Sequence, residues 1–427
     1  MEQPQGESFF PLLRTGKYPA AAGIQPAETL SVLDAGCGCG VLGICAGTAL
    51  RDWGNGTGGG KAAGKGPALR VRAQDRDELA RLFTEYNGRR NGLAGPELEV
   101  YTEALLAGPA GAAWDLILSN IPAKAGKPVL EDFIGRSAWL LKSDGLVLAV
   151  VVNPLAPWFR GGIAARGLTL LYGEAGTDHT VFAWRGNPEA APADGAGEAG
   201  VFPNEAAYYR CGGDFEMEGV RYHIDAVHGA AGFDRAGAAV LAAAKLTEKL
   251  AGKVPACLAS NPAVLIHEPD QGHFPAWFVR RFPPEAGLDT GYGFVLSGRN
   301  ILSLEISRRN LEKAVDSRTA WIKTVSAVDI AADRDALALP ESGGYGFVVL
   351  FPELVPGTDR IAAYWEGIAA LLTENGIVIA ALNASAAEKF DRGKGAGLSR
   401  LGDFRRNGFR ALAYIRNTGP RRCQNTD

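Results

Sequence analysis

No apolar run in the 427 residues approaches the roughly 18 to 20 needed to cross a bilayer. The opening stretch MEQPQGESFF has neither basic residues nor an apolar signal core. Both lacks point to a cytoplasmic chain with no membrane partner. Cysteine is sparse: six residues are scattered along the sequence, and Cys37 and Cys39 stand two apart in a glycine-rich stretch, which gives no disulfide framework. Cys37-Gly-Cys39 is not a CxxC pair and no second Cys/His pair follows at finger spacing, so no metal site is expected. Nor is there an excess of basic charge; the net charge of −3 excludes a chain that binds nucleic acid by charge as a whole.

What is present is ordinary for a folded protein. Apolar residues make up 47% and charged residues 21%, enough for large cores and against global disorder. At roughly 150 residues per domain the length implies two or three domains. Charge is uneven: Glu388 to Asp427 holds ten basic against four acidic residues, a surplus of +6 that leaves −9 on the remainder. Such an end can hold phosphates through counterion release, although a solvated face is the commoner reading.

Between Gly186 and Asn204 the sequence turns rich in Pro, Ala, Gly and acid and loses its apolar period. This reads as a linker over 187–204, between a domain at 1–186 and another at 205–427. A second low-complexity stretch, Gly54 to Gly66, lacks the GxxxxGK[ST] pattern and reads as a surface insertion.

Each half repeats one αβ order. In the first, Ser31–Leu33, Leu69–Gln74, Trp114–Ser119 and Leu146–Val152 read as strands. Helices at Val41–Leu50, Glu78–Arg90 and Val129–Leu141 separate them, and Leu168–Tyr172 with Thr180–Trp184 forms a hairpin. In the second, strands are expected at Ala263–Ile266, Asn300–Leu304, Gly346–Phe351, Ile377–Leu382 and Ala411–Arg416, with helices at Pro275–Arg281, Ser307–Ala314 and Arg360–Leu372. Alternation of this kind predicts α/β domains with doubly wound, largely parallel sheets.

Val32-Leu-Asp-Ala-Gly-Cys-Gly-Cys-Gly40 runs from an apolar strand into a helix near Val41, where glycines let a ligand approach the backbone and a helix N-terminus offers free N–H groups. Gly38-x-Gly40-x-x-Gly43 also fits a dinucleotide fingerprint. Asp34 speaks against that reading, because a carboxylate before the glycines repels pyrophosphate but welcomes a cationic ligand. Asp75, ending the second strand, suits ribose hydroxyls in either case. Ser119-Asn120-Ile121-Pro122, after the fourth strand, has no counterpart in dinucleotide oxidoreductases.

On these residues the first half resembles the class I S-adenosylmethionine-dependent methyltransferases. The likeness spans about 120 residues: Leu33-Asp34-Ala-Gly36-Cys37-Gly38-Cys-Gly40, then Asp75 with Ala80, Asn87 and Asn91-Gly92, then the [ND]PP[FY]-like Asn120 to Pro122. The resemblance implies that Asp34, Gly36, Cys37, Gly38, Gly40, Asp75, Glu103 and Asn120 bind S-adenosylmethionine, with Glu103 near the adenine. It also implies that Asn120 and Pro122 orient the acceptor nitrogen. Positioning would supply most of the catalysis. Ile121 stands for the first proline of the family motif and Ala123 for its aromatic, which weakens the case for a nucleobase acceptor.

The matching turn of the second half, Leu265-Ile-His-Glu-Pro-Asp-Gln-Gly-His273, keeps one glycine of three, and His267, Glu268 and His273 are expected to fill the cofactor space. Glu305 is expected just after the second strand. Before this turn, Glu218 to Gly237 with the alanine-rich helix that follows resembles the opening segment of small-subunit ribosomal RNA guanine exocyclic-amine methyltransferases. Those proteins carry one active and one degenerate copy; here the intact copy is N-terminal, the reverse of that family. Two tandem Rossmann-like methyltransferase domains, the second degenerate, are the expected architecture. The expected activity is N-methylation of structured RNA. Methylation of a protein amide or small molecule, and a non-catalytic RNA-binding scaffold, are the alternatives.

Overall fold

The computed structural model describes residues 29–54, 68–108, 113–122, 124–186, 200–232, 234–283, 292–315, 320–339, 343–352 and 360–417. The glycine stretch beyond Gly54, most of the expected linker, Ala123, Arg421 and Arg422 lie outside them. The chain divides into two units, Met1–Tyr208 and Tyr209–Asp427.

The first unit runs β1 (Thr29–Ala35), α1 (Val41–Gly54), β2 (Ala68–Asp75), α2 (Glu78–Arg90), β3 (Leu98–Thr102), β4 (Trp114–Asn120), α3 (Lys127–Leu140), β5 (Leu141–Val152), α4 (Ala156–Ala165), β6 (Thr169–Ala175), β7 (His179–Arg185) and the short α5 (Glu205–Tyr208). Its seven-stranded sheet has the order β3-β2-β1-β4-β5-β7-β6. The first five strands are parallel, β7 is antiparallel to β5, and β6 closes the hairpin. Val32, Leu33, Ile117 and Leu118 are buried on both faces, as central parallel strands require. Phe159 on α4 lies 5.7 Å from both Phe182 and Trp184 and fastens the hairpin to the sheet. Chain order reverses between β1 and β4, so the crevice beyond their carboxyl ends is where an open αβ sheet takes its ligand.

The second unit opens with an antiparallel hairpin, β8 (Tyr209–Met217) and β9 (Val220–Val227), which is not among the elements expected from the sequence. Then follow α6 (Ala238–Lys249), α7 (Val254–Ser260), β10 (Ala263–His267), α8 (His273–Arg281), β11 (Tyr292–Gly298), α9 (Ile301–Ala314), β12 (Ala320–Ser326), α10 (Arg334–Leu337), β13 (Tyr345–Leu350), α11 (Ile361–Leu371), β14 (Leu372–Asn383), α12 (Ala384–Arg392), β15 (Leu398–Arg406) and β16 (Phe409–Arg416). The order β12-β11-β10-β13-β14-β16-β15 repeats that of the first unit. The fold is therefore two tandem Rossmann-like α/β units.

One expected strand is wrong. Asn300–Leu304 begins α9: Asn300 caps it by accepting from Leu302 N at 3.0 Å, and the strand is the fully buried Tyr292–Gly298 before it. A short apolar run does not distinguish strand from helix; the buried face here, Leu302, Ile306, Asn310 with Ser303, Ser307 and Leu311, has helical spacing. Glu305 therefore does not follow a strand. It lies inside α9, paired with Arg308 at 2.8 Å and Arg309 at 2.6 Å.

Candidate cofactor and acceptor site

β1 delivers Asp34, fully buried, to the carboxyl edge of the sheet, and the chain turns through Gly36, Gly38 and Gly40 with φ of 76°, 57° and 83°. Asp34 Oδ2 accepts from Gly43 N at 2.8 Å in the first turn of α1. A Cβ on Gly43 would lie 2.7 Å from that oxygen, so the approach needs glycine. Asp34 Oδ1 is buried without a hydrogen-bond partner among the described residues. Burial raises the carboxyl to about 7; the Gly43 bond opposes this and the Asp75 charge adds to it.

Asp75 ends β2 beside the turn. Its Oδ2 accepts from Gly38 N and its Oδ1 from Asp77 N, both at 3.0 Å. Gly36 N and Cys37 N both donate to Gln74 O, at 2.9 and 3.0 Å, which locks the turn onto β2. Cys37 is buried, its thiol pushed well above the ordinary range by burial and by the Asp34 charge. It is part of the turn's packing.

Glu103 follows β3. Arg72 Nη2 donates to its carboxylate at 2.6 Å, Arg72 Nε donates to Gln74 Oε1 at 2.8 Å, and the guanidinium stacks 3.9 Å above the Tyr101 ring. Gln74 is fully buried and donates to Leu105 O at 2.6 Å and Ala107 O at 3.0 Å, drawing the segment after β3 under the turn. Leu105 would meet a Cβ on Gly36 at 3.2 Å. Arg72, Gln74 and Gly43 were not singled out as ligand-supporting residues from sequence. A buried glutamine or half-buried arginine on a strand has no spacing signature, and the glycine pattern that includes Gly43 names no partner for it.

At the end of β4, Ser119 Oγ donates to Ala35 O at 2.7 Å, tying that strand to β1 just before the turn. Asn120 beside it is exposed, and Ile121 N donates to Val150 O at 3.0 Å. Pro122 O accepts from Ala125 N at 3.0 Å, closing the tight bend that follows.

The orphaned Asp34 oxygen and the glycine cradle suit a ligand that brings positive charge and approaches the backbone closely. Residues 46–158 match the family model for the methyltransferase small domain. That match lies wholly within the first unit. Among solved structures, the T. thermophilus 16S rRNA N2 G1207 methyltransferase superposes on this chain with a TM-score of 0.58 at 16% identity, covering 97% of this chain and 93% of that one. That likeness concerns the fold and extends over both units. A ribosomal protein L11 methylase from Lactobacillus delbrueckii subsp. bulgaricus gives a TM-score of 0.33 at 22% identity, covering 44% of this chain and 81% of its own. Magnesium protoporphyrin IX methyltransferase from Synechocystis gives 0.31 at 16%, covering 42% and 79%. None of the curated proteins compared with the chain matches it.

Among the described residues, the second unit has no such cradle. Glu268 N donates to Ser297 O at 2.7 Å, as Gly36 N does to Gln74 O, so Glu268 occupies the place of Gly36, with φ of 58°. The β10–β11 register, His267 opposite Ser297, then puts Gly298 where Asp75 stands. A Cβ on Gly298 would lie 3.1 Å from Glu268 Oε2, and Glu268 Oε1 accepts from Arg299 N at 3.1 Å and Arg299 Nε at 3.3 Å. The glutamate side chain fills the corner that corresponds to Asp75. His267 and His273 are buried with different neighbours, Ser297 and Tyr222, and burial lowers them to about 3 and about 4, respectively.

Proposed function

We propose that the first unit is an N-methyltransferase acting on an exocyclic amine of structured RNA. Asp34, Gly36, Cys37, Gly38, Gly40, Asp75, Glu103 and Asn120 are its cofactor side, and Asn120 with Pro122 its acceptor side. The observation that carries the reading is the position of Asn120: it ends β4, whose neighbouring Ser119 is bonded to Ala35 at the start of the turn. When bound, S-adenosylmethionine supplies an electrophilic methyl group on a cationic sulfur. Asn120 accepts a hydrogen bond from the amine and turns the nitrogen lone pair toward that carbon. Transfer would exchange the C–S bond of the methyl group for an N–C bond and leave a neutral thioether, and the extra proton on the acceptor nitrogen would pass to water. No strong base is needed, so the work of the site is alignment.

RNA as acceptor is supported by the likeness of the whole chain to a fold whose T. thermophilus example acts on 16S rRNA and was solved with AdoMet and guanosine. The domain division proposed is a catalytic 1–186, a linker 187–204 and a degenerate 205–427. The test is transfer of a labelled methyl group to small ribosomal subunits and to protein-free ribosomal RNA, with nucleoside mass spectrometry of the product. Wild type should give a methylated guanosine, and Asn120→Ala should lose about 100-fold or more of the rate at saturating cofactor. Label in ribosomal protein instead would favour a side-chain amide as acceptor.

A further inference from the structure

Thr84 and Asn87 lie one turn apart on α2, and each reaches a carbonyl of the cofactor turn. Thr84 Oγ1 donates to Gly38 O at 3.0 Å and Asn87 Nδ2 to Cys39 O at 2.9 Å. Thr84 is fully buried, with the Cys37 sulfur 3.4 Å from its hydroxyl. The turn is pressed against the helix: a Cβ on Gly40 would lie 2.8 Å from Thr84 Cγ2.

The second unit repeats half of this arrangement and so supplies an internal control. On α9, Asn310 Nδ2 donates to Gln271 O at 2.7 Å, the carbonyl just before Gly272. A Cβ on Gly272 would lie 3.0 Å from Ser307 Oγ, so Ser307 stands in the place of Thr84 and Asn310 in that of Asn87. Ser307 Oγ, however, is buried with no hydrogen-bond partner among the described residues. The asparagine bond is kept in the unit whose glycine cradle is gone, and the hydroxyl bond is not.

We infer that the Thr84 hydroxyl is a positioning residue for cofactor binding, whereas Asn87 and Asn310 fasten the turn to the helix as a feature of the fold. A trans peptide sets its C=O and N–H on opposite sides. With Gly38 O anchored on α2, the Cys39 N–H of the same peptide is directed away from the helix, ready to donate to an acceptor group of the ligand. The turn beside it is open, since a Cβ on Gly38 would meet nothing within 4 Å. Without the hydroxyl this peptide can rotate, and the ligand must supply the cost of orienting it.

The inference rests on S-adenosylmethionine as the cofactor, and calorimetry on the full-length protein separates the two claims. Wild type should bind S-adenosylmethionine; if it does not, the cofactor assignment itself is wrong. Given wild-type binding, Thr84→Val should weaken the affinity about tenfold or more, as loss of a buried hydrogen bond to a carbonyl does. Thr84→Ser, which keeps the hydroxyl, should restore it to within about threefold. Asn87→Ala and Asn310→Ala should lower the unfolding temperature and leave the affinity of the folded protein within about threefold of wild type. Thr84→Ala is read in the same way should the valine variant not fold. Wild-type affinity in Thr84→Val or Thr84→Ala, failure of Thr84→Ser to rescue, or an affinity loss in Asn87→Ala equal to that of Thr84→Val would each overturn the inference.

Discussion

At the scale of single residues the site depends on one carboxylate that the fold alone does not satisfy. Burial raises Asp34 to about 7 from an ordinary 3.8, so the cofactor-free protein holds a proton there that the unfolded chain releases near pH 4. The sign follows: this group favours the folded state fully below pH 3.8, and that contribution is lost as pH rises through 7. Asp34→Asn should therefore stabilise the cofactor-free protein at pH 8 by about 2 to 4 kcal/mol and have little effect at pH 4, as read by denaturant unfolding at both pH values. Because a cationic ligand selects the ionised carboxyl, affinity for S-adenosylmethionine should fall about tenfold per pH unit below 7, a dependence that Asp34→Asn removes together with most of the binding. A flat pH profile in calorimetry would refute this role for Asp34. Gly43→Ala, which puts a methyl group 2.7 Å from Asp34 Oδ2, should abolish binding while the protein remains folded by circular dichroism.

Among elements, β2 carries more of the site than its terminal acid. Asp75 closes on the turn, Gln74 holds the segment after β3, and Arg72 holds Glu103. Gln74→Leu would leave the Leu105 and Ala107 carbonyls without their donor, a cost of about 1 to 3 kcal/mol. The expected result is a lowered melting temperature and a raised Kd for the cofactor, both measurable on the same sample. The strand pattern of β2 was legible in the sequence, and so was Asp75 at its end. The ties to the segment after β3 were not, because they join positions some 30 residues apart with no periodic relation. The misread Asn300–Leu304 has a related cause. Three apolar residues within five satisfy either period, and the cap at Asn300 becomes evident once the buried strand before it is known.

For the whole molecule, one topology is used twice and equipped once. Calorimetry should give one equivalent of S-adenosylmethionine per chain, since Glu268 and Arg299 fill the corner that Asp75 leaves open in the first unit. Two equivalents would contradict that reading. The basic C-terminal stretch is less free than its surplus of +6 suggests. Arg400 is bonded to Asp391 and Asp403, Arg410 to Asp403, and Arg416 to the carbonyls of Ala369 and Leu372. Arg405 and Arg406, at the exposed tip of the β15–β16 hairpin, stand apart from these bonds. On the RNA reading, replacing both with alanine should reduce the slope of log affinity against log salt by about one to two, measured with ribosomal RNA.

The alternation of strands and helices that makes each half an αβ unit, the glycine turn between Asp34 and Val41, and the loss of two glycines in the second copy were determined by the sequence alone. Each is written in local spacing: apolar runs of strand or helix length, and glycines where the backbone must be approached or bent. Tertiary structure decided which polar side chains meet. It set Thr84 against Gly38 O and left Ser307 without a partner among the described residues, turned Glu103 toward Arg72, and laid the Glu268 side chain against Gly298, the counterpart of Asp75. Such pairings depend on the distance between elements after packing, where a shift of a few tenths of an ångström makes or breaks a hydrogen bond. No spacing along the chain encodes that distance.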